Sequence, residues 1–425
     1  MRVLVAGSGA REHALSWRLA RDPSVTAVLC SPGNPGIAQI ARTVHSDGSP
    51  QGLLDLAIRE RVDLTVIGPE LPLSQGVVDS FRARDLLVVG PSRAAANLEC
   101  SKGYAKTFMD RHGIPTARHR LAETAEEAGR IVRSRELGFP VVVKADGLAA
   151  GKGVVVAQDE PEALAALDCM MRERRFGDAG ARVVIEECLQ GPELSFFVLS
   201  DGERAVPIGS AQDHKRAFDG DAGPNTGGMG AFSPSPLCDA AVQDRVVRDV
   251  VEPVLHGMRD EGHPYTGFLY CGLMLTPTGP RVIEFNVRFG DPEAQVVLPL
   301  IEGDFARALL AAAGGDLRGV SLGLSTDRTV GVVLASKGYP ESYETGKTIA
   351  GLDSAASHPD VLVFHAGTVD RDGRIVTAGG RVLTVVGRGS SYDAARRRAY
   401  ESASRISFDG LHMRRDIGEK AVAHR

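Results

Sequence analysis

Four short apolar runs in the first hundred residues, each followed by a glycine or proline turn, limit this chain more than any other feature. Residues 3–6, 26–30, 64–67 and 86–89 are rich in β-branched side chains and alternate with helical stretches. That alternation predicts buried parallel strands in an open α/β sheet. Ligands in such sheets sit beyond the carboxyl ends of the strands. Here those ends carry Gly7-Ser8-Gly9-Ala10-Arg11-Glu12, Pro32-Gly33-Asn34-Pro35-Gly36 and Gly68-Pro69-Glu70.

A length of 425 residues implies about three domains. No apolar run reaches the roughly 18 residues that span a bilayer, and the N-terminus opens as a strand and not as a signal peptide. A cytoplasmic protein with no membrane partner is therefore expected. The net charge of −5 argues against a nucleic-acid partner, and the basic clusters 172–175 and 396–398 read as solvated helix faces. Six cysteines stand singly, without redox or zinc spacing.

Ser101 is placed to cap a helix ending near His112, with Gly113 and Pro115 just beyond. Lys102 and Lys106, four apart, share one face of it. Strands follow at 141–145, 154–157 and 183–187, around a glycine-rich turn and a helix near 160–174. A long polar loop is expected over 212–230, then a helix near 239–260 and strands at 268–275 and 281–287. From 326, strands at 330–334, 361–364 and 381–386 and a helix near 392–406 make a small α/β unit.

The turn Gly7-x-Gly9-x-x-Glu12 invites a dinucleotide reading. Against it, Glu12 stands where a third glycine belongs, and the second strand ends in Cys30-Ser31 with no acid for a ribose. Arg11 suggests instead that the turn receives an anionic group; the plainer alternative is a tight turn with no ligand. Lys144-Ala145-Asp146-Gly147-Leu148-Ala149-Ala150-Gly151-Lys152-Gly153 nearly imitates a P-loop, but it leads into a strand and has Gly153 where Ser or Thr should hold Mg²⁺. It reads as a flap whose N–H groups and Lys152 close over phosphates, or as an ordinary hairpin.

In Glu284-Phe285-Asn286-Val287-Arg288 the strand alternation puts Glu284, Asn286 and Arg288 on one face and Phe285 and Val287 in a core. An acid, an amide and a guanidinium in a row suit Mg²⁺ with substrate phosphates, and Arg288 suits a transferring phosphoryl group. The alternative is an edge strand with a solvated face. Asp291-Pro292-Glu293 adds carboxylates at that strand end, and glycines among 212–230 imply close backbone approach. His214 reads as a satisfied structural histidine. Glu186, Glu187, Cys188 and Leu189 end a strand whose free backbone groups could meet a purine edge, with Glu193 near a ribose; equally, the strand is simply leaving a core.

In their order these stretches closely resemble the phosphoribosylamine–glycine ligase family, ATP-grasp enzymes of purine synthesis. The resemblance runs over nearly the whole chain, from Gly9-Ala10-Arg11-Glu12-His13-Ala14 and Pro32-Gly33-Asn34 through Gly68-Pro69-Glu70 and the 144–153 loop. It continues through Gln212-Asp213-His214-Lys215-Arg216 and Gly223-Pro224-Asn225-Thr226-Gly227-Gly228-Met229-Gly230. It ends with Glu284-Phe285-Asn286-x-Arg288-Phe289-Gly290-Asp291-Pro292-Glu293 and Phe364-His365-Ala366-Gly367-Thr368. Ala10 departs from relatives that often carry a further glycine there.

The resemblance implies an α/β protein: an N-terminal open parallel sheet (1–101), a central two-lobed ATP-grasp domain (102–325, with a glycine-rich flap subdomain about 116–190) and a small C-terminal α/β domain (326–425). It implies ATP-dependent ligation of glycine to 5-phosphoribosylamine through glycyl phosphate, giving glycinamide ribonucleotide, ADP and phosphate. Gly151, Lys152 and Gly153 would then cover the ATP phosphates, reached also by Lys144 and by Lys102 or Lys106. Adenine would lie on Glu186, Glu187, Cys188 and Leu189 and ribose on Glu193, with Arg216 and Asn225 around the nucleotide and the reacting centre. Glu284 and Asn286 match ligands for Mg²⁺ or Mn²⁺; Gly272-Leu273-Met274 leaves any second metal without an acid on the preceding strand.

Arg288 and Lys152 would serve the transfer, and Asp213 and Asp291 would orient amino groups. Gly9, Arg11, Glu70 and Lys215 would hold substrate. A monofunctional monomer or weak dimer acting on small molecules is expected. The rival readings are a ligase with another acceptor, a nucleotide sensor without turnover and an NAD-dependent oxidoreductase.

Overall fold

The computed structural model describes residues 1–149 and 153–423. Its first sheet has five parallel strands in the order Arg42–Thr43, Ala27–Pro32, Arg2–Gly7, Leu64–Ile67 and Val88–Val89. Val3, Leu4 and Val5 are fully buried, as expected of a strand covered on both faces. The winding reverses between Arg2–Gly7 and Leu64–Ile67, so the Gly7–Gly9 and Gly68–Glu70 turns share one edge at a topological switch point.

A smaller antiparallel sheet follows, ordered His119–Ala122, Val183–Glu187, Val141–Ala145, Val154–Ala157. Helices Ala125–Ser134 and Glu160–Leu167 cover one face, packing on Val143, Ile185 and Ala157. The other face carries Lys144 and Glu186. Ser101 caps the helix Lys102–Arg111 as expected, accepting from the Tyr104 N–H.

The largest sheet has nine strands. Eight run in the order Gly279–Asn286, Thr266–Thr276, Glu193–Asp201, Ala205–Asp213, Gly230–Ser233, Arg328–Ser336, Arg381–Gly389, Val361–His365, and Leu411–His412 pairs with Arg328–Ser336. The sequence reading passes over four of these, Glu193–Asp201, Ala205–Asp213, Gly230–Ser233 and Leu411–His412, although the first two lie inside the sheet. Because Gly230–Ser233 pairs with Arg328–Ser336, the strands Arg328–Ser336, Arg381–Gly389 and Val361–His365 extend this sheet, while Thr368–Arg371 and Arg374–Thr377 pair apart from it.

The stretch 212–230 is not one loop. It holds an antiparallel pair, Arg216–Phe218 with Ala222–Asn225, and the C-terminal tail fixes that hairpin. Arg414, its side chain fully buried, donates to the Arg216 carbonyl at 3.0 Å and pairs with Asp221 at 2.9 Å and Asp416 at 2.6 Å. The Arg415 N–H reaches Asp219 at 2.7 Å. Partners almost 200 residues away leave no local pattern to read.

Two polar joints help hold the first sheet to the rest. Asp22 caps the helix Phe305–Ala313, taking the N–H groups of Phe305 and Ala306 at 3.1 and 2.9 Å. The Asn34 amide bridges the carbonyls of Ser8 and His365, both at 2.8 Å, while the His365 N–H donates to His13 Nδ1 at 2.9 Å. No helix among the described residues is long and apolar enough to cross a membrane.

Burial, with His365 nearby, lowers the His13 pKa to about 3, and burial lowers that of His365 to about 4. Both sit below the unfolded value near 6.5, so the unfolded chain binds more protons in that window. Their contribution is fully present above pH 6.5 and is lost as pH falls toward the folded values. At pH 5 each should cost about 2 kcal/mol. Thermal melts from pH 7.5 to 5 should show a falling midpoint, and His13→Gln should make that fall shallower; an unchanged slope would show that this joint does not titrate.

Candidate functional site

Strand Gly279–Asn286 lies at the edge of the large sheet, and its register slips between Gly272 and Leu273 of the neighbouring strand. The resulting bulge leaves Ile283 and Glu284 adjacent in the chain between Val282 and Phe285, which both enter the core. Glu284, Asn286 and Arg288 are half-buried while Phe285 and Val287 are buried, as the alternation predicts. Around this strand three charged groups assemble.

The first group joins it to the N-terminal sheet. Arg288 pairs with Glu70 at 3.2 Å and Glu99 at 3.0 Å, and also donates to the Phe289 carbonyl at 3.1 Å. Glu99 takes the Val287 N–H at 2.7 Å with its other oxygen. Burial opposes the Arg288 charge, yet Glu99 and Glu70 hold its pKa above the ordinary value. Burial raises the Glu99 pKa; for Glu70, Arg288 and Arg11 outweigh burial and lower it. Glu99 escapes sequence reading because its partner is 189 positions away.

Beside them, Arg11 bonds Glu12 at 2.6 Å and the Phe289 carbonyl at 3.3 Å. Glu12 turns back onto the Gly9 N–H at 2.6 Å, and its carboxyl group would collide with a Cβ at Gly7 or Gly68. The space a dinucleotide pyrophosphate would need is thus filled by a carboxylate, which removes the oxidoreductase reading. A Cβ at Gly9 would lie 3.7 Å from Asp291 Oδ2, so the first turn and Asp291 face each other.

The second group lies between the two sheets. Glu186 pairs with Lys106 at 3.0 Å and Lys144 at 2.9 Å. Lys144 also donates to the Ile283 carbonyl exposed by the bulge at 3.1 Å, and Lys106 to Thr116 at 2.7 Å. Burial and Lys144 lower the Lys106 pKa to about 8 against the pull of Glu186. Lys102 instead donates to the Gly147 carbonyl at the base of the flap. Asp146 fixes that base, accepting from Ser101 Oγ at 2.9 Å and the Gly103 N–H at 2.6 Å. Gly151 and Lys152 lie outside the described residues, and Gly153 immediately precedes the strand Val154–Ala157.

Glu187 turns its carboxylate outward to Arg118 at 2.7 Å, and Cys188 and Leu189 follow half-buried.

The third group is built on the central strands that the sequence reading misses. Lys215 bonds both Asp213 oxygens, at 2.8 and 2.9 Å, and Glu193 at 3.2 Å. Burial disfavours its charge, but Asp213 and Glu193 hold its pKa well above the usual value. Ser195 donates to Glu293 at 3.2 Å and meets the Tyr270 hydroxyl at the same distance. Burial and Asp213 push the Glu293 pKa up to about 7.

Arg216 and Asn225 face each other on the hairpin, Arg216 donating to the Gly223 carbonyl at 2.7 Å, and neither side chain bonds to the three charged groups among the described residues. His214 is buried against Phe232, but its ring nitrogens have no hydrogen-bond partner among the described residues, contrary to the satisfied histidine expected. Burial lowers its pKa to about 4.

Among the described residues no group of three or more His, Cys, Asp or Glu is arranged to hold a metal ion. Glu284 and Asn286 nonetheless fit a hard cation whose shell substrate phosphates complete. Glu284 makes no hydrogen bond or ion pair among the described residues, and Asn286 Oδ1 accepts only a long bond of 3.4 Å from Arg288. Opposite Glu284 stands Gly272, which contributes no side chain.

Residues 1–99, 100–294 and 329–420 match the N, ATP-grasp (A) and C domains of phosphoribosylglycinamide synthetase. The chain is similar to the phosphoribosylamine–glycine ligase of Ralstonia nicotianae, 50% identical over 424 residues, or 99% of this chain and 100% of that one. It is 49% identical to the Pseudomonas aeruginosa ligase over 426 residues, covering 100% and 99%. The solved phosphoribosylamine–glycine ligase of Thermotoga maritima superposes with a TM-score of 0.84 at 36% identity, covering 98% of this chain and 100% of that one. The biotin carboxylase domain of the Hydrogenobacter thermophilus 2-oxoglutarate carboxylase, in complex with MgADP, gives a TM-score of 0.73 at 17% identity over 97% and 91%, a likeness of fold alone.

If the ammonium groups on Glu186 are those that receive phosphates, Lys144→Gln or Lys106→Gln should weaken ADP binding by about 10- to 100-fold, as loss of one charge-assisted hydrogen bond predicts. Titration calorimetry reads this directly, and wild-type affinity in both variants would move the phosphates elsewhere.

Proposed function

The chain belongs to the phosphoribosylglycinamide synthetase family, and from that premise we propose how its residues divide the work. It is an ATP-dependent carboxylate–amine ligase that joins glycine to phosphoribosylamine in purine biosynthesis, using ATP with Mg²⁺ or Mn²⁺.

Glycine's carboxylate is a poor electrophile, because its charge repels an incoming amine. We infer that transfer of the ATP γ-phosphoryl group to a carboxylate oxygen gives glycyl phosphate and ADP. The phosphoribosylamine nitrogen then bonds to the acyl carbon, the carbon–oxygen bond to phosphate breaks, and the nitrogen loses a proton. Glu284 and Asn286 would hold the divalent cation, which neutralises charge on the transferring group. Lys106, Lys144 and the flap residues Gly151, Lys152 and Gly153 take the phosphates; Lys102 braces the flap base. Adenine lies on the strand end 186–189 and ribose on Glu193. Arg216 and Asn225 border the reacting centre.

Gly9, Arg11 and Glu70 hold the sugar phosphate. Asp291, beside Gly9, orients the amine of phosphoribosylamine, and Asp213, held by Lys215, orients that of glycine. The observation that carries this assignment is the Arg288–Glu70 ion pair at 3.2 Å, which sets the phosphoryl-transfer strand directly against the sugar-phosphate turns. The proposal extends to domains at 1–101, 102–325 and 326–425, a cytoplasmic location, a monomer or weak dimer, and no nucleic-acid or membrane partner.

ADP release should require glycine and freshly generated phosphoribosylamine together, with a product of the mass of glycinamide ribonucleotide. A requirement for some other acid or amine would overturn the substrate assignment while leaving the ligase chemistry. Glu284→Gln should retain the fold and lower turnover by about 100-fold or more, since a divalent cation supplies several kcal/mol of charge stabilisation.

A further inference from the structure

The glycine pair at Gly227-Gly228 approaches something closely, and that partner comes from the far end of the chain. Arg381 opens the strand Arg381–Gly389 in the C-terminal segment. Its Nη1 donates to the Gly227 carbonyl at 2.7 Å and the Asp291 carbonyl at 2.8 Å, and lies 3.2 Å from Asp291 Oδ1. A Cβ at Gly227 would lie 3.0 Å from the Arg381 guanidinium carbon, and one at Gly228 would sit 2.4 Å from Pro292. Tyr339 accepts the Gly227 N–H at 2.9 Å, and a Cβ at Gly380 would strike the Tyr339 ring. Gln295 donates to Asp291 Oδ1 at 2.8 Å.

Oδ1 of Asp291 is thus occupied by Arg381 and Gln295, which leaves Oδ2 directed at the Gly9 turn. Burial alone would raise the Asp291 pKa, but Arg381, then Arg11, keep it lowered and the group ionised.

We propose that Arg381 is a positioning residue for the ligation: it fixes Asp291 Oδ2 toward the amine of phosphoribosylamine and locks the 227–228 backbone over it, making the C-terminal segment part of the reacting centre. This rests on the reading of Asp291 as the amine-orienting carboxylate. A guanidinium is suited to the task because the two hydrogens of Nη1 serve the two carbonyls while its charge lies against the Asp291 carboxylate.

The test is steady-state kinetics of Arg381→Ala, Arg381→Gln, Asp291→Asn and the double variant Arg381→Ala/Asp291→Asn. Arg381→Ala should lower kcat/KM for phosphoribosylamine by about 10- to 100-fold, the scale of a misplaced catalytic group, with the KM for ATP unchanged. Millimolar guanidinium should restore part of the loss, and the double variant should be little worse than Asp291→Asn, because the two act as one unit. A merely structural arginine would instead disturb ATP and both substrates alike, show no rescue and add to the Asp291 defect, and any of these overturns the proposal. Should Arg381→Ala fail to fold, Arg381→Gln, which keeps bulk but not charge, decides on the same kcat/KM split, and wild-type values there overturn it. The two levels separate cleanly: an active Asp291→Asn removes the reading of Asp291 itself, whereas an inactive Asp291→Asn beside a normal Arg381→Ala removes only the clamp.

Discussion

A guanidinium largely withdrawn from water cannot stand alone, and the half-buried Arg288 dictates where three distant pieces of the chain must meet. Removing one partner from a buried ion pair typically costs about 3–5 kcal/mol, because the remaining charge has neither water nor counter-charge. Arg288 answers this with Glu70 from the first sheet and Glu99 from the connection leaving it. Glu99 also holds the Val287 N–H, so the same carboxylate fixes the strand's backbone and its side chain. Once these groups are paired, the turns of the first sheet are locked against the end of the strand that carries Glu284 and Asn286. On the proposed assignment, the sugar-phosphate and phosphate sites are thereby brought together by one set of ion pairs.

The bulge beside that strand solves a second problem. A regular strand presents every other residue to the cleft, and the proposed cation site asks for Glu284 and Asn286 there together with a free backbone acceptor. Slipping the register by one residue gives both, since the Ile283 carbonyl leaves its ladder and receives Lys144. Lys144 and Lys106 then share Glu186. Two ammonium groups over one buried carboxylate carry a surplus positive charge, which is what a nucleotide's phosphates would satisfy. The site is thus electrostatically prepared for an anion before the anion arrives.

Period and caps are what make this fold legible in its sequence. The alternation at 284–288 is readable because a strand has period two, and Ser101 because a capping hydroxyl precedes its helix by a fixed offset. The strand end at Glu186 is readable for the same local reasons. Glu99 and Arg381 are not, because an ion pair leaves its mark in neither partner's neighbourhood. The 212–230 stretch reads as one loop for a related reason. Its hairpin is short and polar, and what orders it is Arg414 and Asp416 of the tail. The central strands Glu193–Asp201 and Ala205–Asp213 escape differently: Leu194, Phe196 and Val198 do alternate into the core, but the intervening Phe197 and Leu199 are apolar too and enter a second core. A strand buried on both faces loses the polar alternation that would announce it.

On the proposed mechanism an acyl phosphate is made and must be consumed before water reaches it. That demand favours a centre whose walls come from separate parts of the chain, so that it exists only when all are docked. Glu70 and Glu99 come from the beginning, Lys106, Lys144 and Glu186 from the small sheet and the helix beside it, Glu284 to Asp291 from the edge of the large one, and Arg381 from its far side. Each contact that shapes the site is also a contact that holds the fold: Arg288 joins the first sheet to the large one, Lys144 the small to the large, and Arg381 the C-terminal strands to the 291–292 turn. Domain docking and catalytic geometry are therefore one set of interactions. Loosening any joint should be felt first at the reacting atoms, where a displacement of about 1 Å is costly, and only later in global stability, which many contacts share.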